Sequence, residues 1–143
     1  MIKFKKLFLC SVLSIGLLSC SKDDDSNNAA AVALAGKWQF TKTGTINSNN
    51  QEVLTDYQHE SGCTKDFIEL TAAGVLKSHE FENPNCQETI STASYSRNNN
   101  TITITYPGDP AINGEILELT NTTLKVKFVS SGITDVDILT RIP

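Results

Sequence analysis

"NNNTITITY", Asn98 to Tyr106, is the stretch that decides the fold class. Asn98 to Asn100 supply a turn. From there Ile102, Ile104 and Tyr106 fall on one side of an extended chain and the threonines on the other. Period-two alternation of this kind marks a strand with one apolar face. β-Branching at nearly every position stiffens χ1 and suits a pleated chain. "PGDP", Pro107 to Pro110, then ends the strand, because proline removes ladder donors and glycine allows the reversal.

Downstream, "GEILELT" reads as a strand, Asn121-Thr122 as a tight turn, and "TLKVKFVS" as a strand with Leu124, Val126 and Phe128 inward and Lys125 and Lys127 in water. "DVDILTRI" closes the chain with Val136, Ile138 and Ile142 on one side. Upstream, "QETISTASYS" is a more polar strand, suited to an edge or to a wet cavity. "DFIELT" (Asp66–Thr71) and "GVLKSHEF" (Gly74–Phe81) flank a short "AAG" turn in which Gly74 can take positive φ. In "GKWQFTKTG", Trp38 and Phe40 alternate with Lys37, Gln39 and Thr41.

These runs make about eight strands, with helix expected only around Ala29 to Ala35. No crossover helix is available to build a parallel sheet. An antiparallel meander of this length stacks on itself or closes, and closure removes unpaired edges. The expected fold is therefore all-β, an antiparallel up-and-down barrel whose interior holds side chains or one small ligand. The expected interior is Trp38, Phe40, Phe67, Phe81, Ile102, Ile104, Leu117, Leu119, Val126, Phe128 and Ile138.

The N-terminus carries an address. Lys3, Lys5 and Lys6 precede "LFLCSVLSIGLL", an apolar core too short to span a bilayer comfortably, and together they describe a secretory signal helix. Leu17-Leu18-Ser19-Cys20 resembles a bacterial lipobox, which implies cleavage before Cys20 and acylation of its thiol. Each buried CH₂ contributes about 0.8 kcal/mol, so two or more acyl chains hold a protein on a membrane. Ser21-Lys22-Asp23-Asp24-Asp25 resembles the surface-export signal of Bacteroidota lipoproteins, or serves as a solvated spacer. The expected organisation is signal peptide over 1–19, lipidated and disordered tether over 20–33, and one domain over 34–143. The expected location is the outer membrane, facing outward, with the periplasmic face as the alternative.

Without the signal, nine basic residues face sixteen acidic ones, a net charge of −7. That surface repels phosphate backbones and argues against nucleic acid as a partner. Of four cysteines, Cys10 leaves with the signal and Cys20 carries lipid, which leaves Cys63 and Cys86 to pair in an oxidising compartment. A zinc site of His59, Cys63, His79 and Cys86 is the competing idea, but these spacings fit no standard zinc motif. No metal is expected.

Several motifs in order resemble the lipocalin-like domains found as lipoproteins in Bacteroidota. "LAGKW" is similar to the glycine-x-tryptophan of the first lipocalin strand, here Gly36 and Trp38. "CTKDFIELTAAG" resembles that family's cysteine, lysine–aspartate, hydrophobic strand and glycine turn, and "SRNNNTITI" and "LELTNTTLKVK" resemble its later paired strands. Thr71 departs from the phenylalanine usual before the turn, and the domain is shorter than secreted lipocalins, so a roomy calyx does not carry over. The resemblance implies a late arginine packed across the first-strand tryptophan, and Arg141 is the candidate for a structural clasp on Trp38. It also places "NSNNQEVLTDYQHESG" over the barrel mouth, where Val53, Leu54 and Tyr57 could line an entrance, form a short strand or plug it.

Catalytic chemistry is not expected. His59–Glu60 and His79–Glu80 are adjacent pairs whose members point to opposite faces of a strand. No nucleophile elbow, phosphate loop or metal-binding helix is present, and no cofactor is implied. Asp109, Asp135 and Asp137 read as turn or strand-surface acids. The expected function is binding of a small hydrophobic or amphipathic molecule. The alternative is a filled barrel acting through its loops as an accessory or inhibitor module on a protein partner that the sequence leaves unnamed. A pocket of about 300 Å³ or more favours the first.

Overall fold

Each alternating run becomes a strand in the computed structural model, which describes residues 33–143. The signal helix, the lipidation site Cys20 and the tether over 20–32 lie outside the described residues. The strands are β1 (Gly36–Ile46), β2 (Glu52–Asp56), β3 (Phe67–Leu70), β4 (Val75–Glu82), β5 (Gln87–Asn98), β6 (Thr101–Thr105), β7 (Ile112–Leu119), β8 (Thr123–Ser130) and β9 (Ile133–Ile142). All pairings are antiparallel, in the order β2-β1-β3-β4-β5-β6-β7-β8-β9, and β9 returns to β1. Eight strands thus close an up-and-down barrel, and β2 is added outside it. It pairs with Lys42–Ile46, the part of β1 that runs past β3. The long segment after the first strand is therefore a strand at its centre, one of the readings left open above.

The two ends of the barrel differ. At one end converge the start of β1 and the turns β3–β4, β5–β6 and β7–β8. Trp38, Leu70, Leu76, Leu124 and Leu139 meet there, and Trp38 is 0% exposed. Leu34 plugs this end and its carbonyl accepts the indole N–H of Trp38 at 2.8 Å. The Tyr95 hydroxyl donates to Thr71 O at 2.7 Å, pinning the β3–β4 turn, in which Gly74 takes φ 80°. Arg141 lies 4.0 Å from the Trp38 ring centroid and donates to Ala33 O, Ala35 O and Asn121 O. Its guanidinium fits because Gly36 has no Cβ: one added there would run into Nη1. The glycine-x-tryptophan pair is thus one device, an indole buried by a cation that only a bare backbone admits.

Four residues expected inside are placed on the outer wall. Phe67 stacks on His79 at 4.2 Å and lies 6.4 Å from Phe81, so both phenylalanines face out with a buried histidine. The inward phase of β3 and β4 is instead Ile68 and Leu70 with Leu76 and Ser78. Both runs carry apolar residues in both phases, so alternation alone leaves the choice open. Leu117 is 38% exposed because β7 bulges between Ile116 and Glu118, which turns Ile116 and Leu119 inward and leaves Leu117 as the extra residue. Ile138 faces out because Leu139, opposite Phe40 and Leu124, sets the phase of β9.

Candidate functional site

The opposite end of the barrel is open. There the interior side chains are half-buried rather than sealed: Phe40 from β1, Ile104 from β6, Tyr106 just after it, and Phe128 from β8. Behind them lies a chamber of about 260 Å³, floored by Leu70, Leu76, Ile102, Leu124, Val126 and Leu139. An outer cleft of about 600 Å³ runs between the β6–β7 and β8–β9 turns, lined by Pro110, Ile112 and Val129 among others. Ile104, Tyr106 and Phe128 wall both spaces, so the chamber and the cleft adjoin at this end. Gly114 makes room at this boundary, since a Cβ there would strike the Phe128 ring.

Polar groups enter from the strand ends. Glu80 on β4, an exposed residue at the mouth, and the half-buried Asp137 on β9 line the chamber, and the half-buried Asp135 lines the cleft. Asp135 and Asp137 are not surface acids as the sequence suggested. A bulge between Phe40 and Lys42 sets Thr43 opposite Asp137. Burial raises the Asp137 carboxyl above its ordinary range, the Thr43 hydroxyl opposing the rise and Asp135 adding to it. The Ser78 hydroxyl donates to Glu80 at 3.3 Å. Burial, then Glu80, also raises the Tyr106 phenol.

The link from β2 to β3 braces this end. Tyr57 stacks on Phe40 at 4.8 Å, and its phenol is pushed up to about 12 by burial and by the carboxylates of Asp66, Glu80 and Asp137. His59 accepts the Asp66 N–H on Nδ1 at 3.0 Å, so its Nε2 donates to Phe40 O at 2.9 Å and the ring is neutral. The buried Asp66 carboxylate accepts Phe81 N–H at 2.9 Å. A disulfide between Cys63 and Cys86, with Cα atoms 5.2 Å apart, ties this link to the β4–β5 turn. Among the described residues no group of three or more His, Cys, Asp or Glu side chains is placed to hold a metal ion.

Of the expected interior residues, Phe40, Ile102, Ile104, Val126 and Phe128 line the chamber, while Trp38 and Leu119 pack into the sealed end. Of the loop residues, Tyr57 reaches the rim, Leu54 is half-buried on β2, and Val53 is 54% exposed. The sequence reading treated Glu80 only as a neighbour of His79 and Asp137 as a turn or strand-surface acid, and gave neither a place in the chamber. The signal for Glu80 was available, since period two from Leu76 through Ser78 puts it on the inward face.

The model of the lipocalin-like domain family matches residues 34–126. A lipocalin-like protein from Bacteroides uniformis is similar in structure, with TM-score 0.54 and 17% identity over 76% of this chain and 98% of its own. An uncharacterized protein from Bacteroides eggerthii is similar with TM-score 0.54 and 12% identity over 77% of this chain and 100% of its own. No curated protein matches the chain.

Proposed function

The chain belongs to the lipocalin-like domain family, and from that premise we propose that the open half of its barrel binds a small hydrophobic or amphipathic molecule without transforming it. The observation that carries this reading is the asymmetry of the interior: one end is sealed by Trp38 and Arg141, while the other keeps an apolar chamber in contact with solvent. A concave, mostly apolar space with a few convergent polar groups is the usual form of a small-molecule site. The protein acts as a lipoprotein, held by acylated Cys20 to the outer membrane and presented on the cell surface. Native mass spectrometry of the purified protein tests the binding reading. A co-purifying small molecule released on unfolding is the expected result, and a bare mass after mild purification from its native host counts against it. Protease added to intact cells tests the location: digestion of the barrel is expected, and full protection places it on the periplasmic face.

The chamber's size supports a second reading. At about 260 Å³ it falls below the range typical of ligand pockets, as a barrel acting through its loops on a protein partner would require. The outer cleft, which shares three walls with the chamber, is what favours ligand over module.

A further inference from the structure

We propose that the occupant of this chamber is a cation with a small apolar body, an arylalkyl or short alkyl ammonium, held by Glu80 and Asp137 against the wall of Phe40, Tyr106 and Phe128. This rests on the ligand-binding reading above and narrows it.

Glu80 and Asp137 line the chamber and Asp135 the cleft, and none of the described residues lining either space is a lysine or arginine. The nearby bases are committed elsewhere. His59 is neutral, with both ring nitrogens used on backbone groups. Lys42 pairs with Asp56 at 2.9 Å, Lys125 with Glu52 at 2.7 Å, and Lys127 with Glu115 at 2.8 Å. What faces the chamber carboxylates is neutral: the Ser78 hydroxyl donates to Glu80, and Thr43 stands opposite Asp137. Same-sign charge in a cleft with apolar walls focuses the field and raises the local concentration of the opposite ion.

The walls then decide what kind of cation fits. Aromatic faces beside a carboxylate pair favour an ammonium, through attraction to the ring quadrupole and charge-assisted hydrogen bonds. A bare metal ion would leave the apolar floor unused. A fatty acid would bring its carboxylate against three others, and a long chain exceeds a chamber of about 260 Å³. One ring with a short amine arm fits both the volume and the charge.

Titration calorimetry of the full chain with three matched probes tests this: phenethylamine, phenethyl alcohol and hydrocinnamate, which differ in the charge of the arm. The amine is expected to bind at least about tenfold tighter than the alcohol, the gain typical of one charge-assisted hydrogen bond, and the carboxylate weakest. High salt should shrink the amine's advantage. In the Glu80→Gln/Asp137→Asn double variant the amine-to-alcohol ratio should fall to near one. The Asp137→Asn single variant, nearly isosteric, reads the same ratio if the double variant fails to fold. Alcohol binding as tight as amine, or carboxylate binding tightest, overturns the cation assignment and leaves the chamber reading standing. An amine advantage that persists in the variants also overturns it. Binding of none of the three overturns both.

Discussion

The two ends of this barrel are made from the same strands, yet they solve opposite problems. At the sealed end every polar group that burial would strand has a partner: the Trp38 indole finds Leu34 O, the Tyr95 hydroxyl finds Thr71 O, and the Arg141 guanidinium finds three carbonyls. At the open end Glu80 and Asp137 line the chamber with no lysine or arginine among its described lining residues, and burial raises the Asp137 carboxyl above its ordinary range. A carboxylate partly withdrawn from water costs stability, so a fold retains one where it serves something else. The contrast places the sealed core at one end and the proposed binding site at the other.

Disrupting the sealed end should have the largest effect. Replacing Trp38 by alanine removes the largest fully buried side chain and should cost about 3–5 kcal/mol in urea unfolding. An unchanged midpoint would erase the distinction between the ends. Next comes the disulfide, the main covalent constraint at the open end. Cys63→Ser with Cys86→Ser should cost about 3 kcal/mol by loop entropy over its separation of 23 residues, and should loosen the Tyr57 link, read as faster amide exchange between residues 57 and 66.

Gly36→Ala probes the clasp with a smaller perturbation. It strains a φ of 143° and displaces the Arg141 guanidinium, so a loss of about 1–3 kcal/mol is expected, while Arg141→Ala should lose about 0.5–2 kcal/mol. Relief of the Gly36 variant's deficit by Arg141→Ala, seen in a double-mutant cycle, would identify the clash as the cause.

The smallest effect should have the opposite sign. With its folded pKa raised, Asp137 binds its proton more readily in the native state than in the unfolded chain. Its contribution therefore improves as pH falls through the raised folded value and is a penalty at neutral pH. Asp137→Asn should raise the melting temperature at pH 7, with the gain fading once the wild-type carboxyl is protonated. A loss of stability at pH 7 would mean that Asp137 belongs to the scaffold, and the comparison between ends would need redrawing.

Much of the open end was hard to see in the sequence because its key residues are polar and sit near strand ends, where polarity looks like solvent exposure. Asp135 and Asp137 alternate with Val136, and Val136 is the apolar residue, so alternation points it inward. The structure does the reverse. Val136 lies on the outer wall opposite Gly44, and it is 0% exposed there. β2 crosses so close over that spot that a Cβ on Gly44 would meet the Val53 carbonyl and the Leu54 Cα. A hydrophobic residue thus found its burial outside the barrel. The polarity of β5 also has its reason: β6 pairs only with Ser94–Asn98, so among the described residues Gln87–Ala93 has no strand partner on that side.

By itself, the sequence determined that the chain would be extended, where it would turn, and that its meander would close, since those follow from short-range periodicity and from prolines, glycines and asparagines at fixed places. The pairing of Cys63 with Cys86 was legible by elimination. Tertiary structure alone decided which face of each strand looks inward. Where both phases of a run carry apolar side chains, as at Phe67, Ile68 and Ile138, Leu139, phase is set by the neighbouring strand. Where a bulge adds one residue, as at Leu117, every side chain beyond it changes face. Asp137 reached the chamber by those same register choices, which no local pattern encodes.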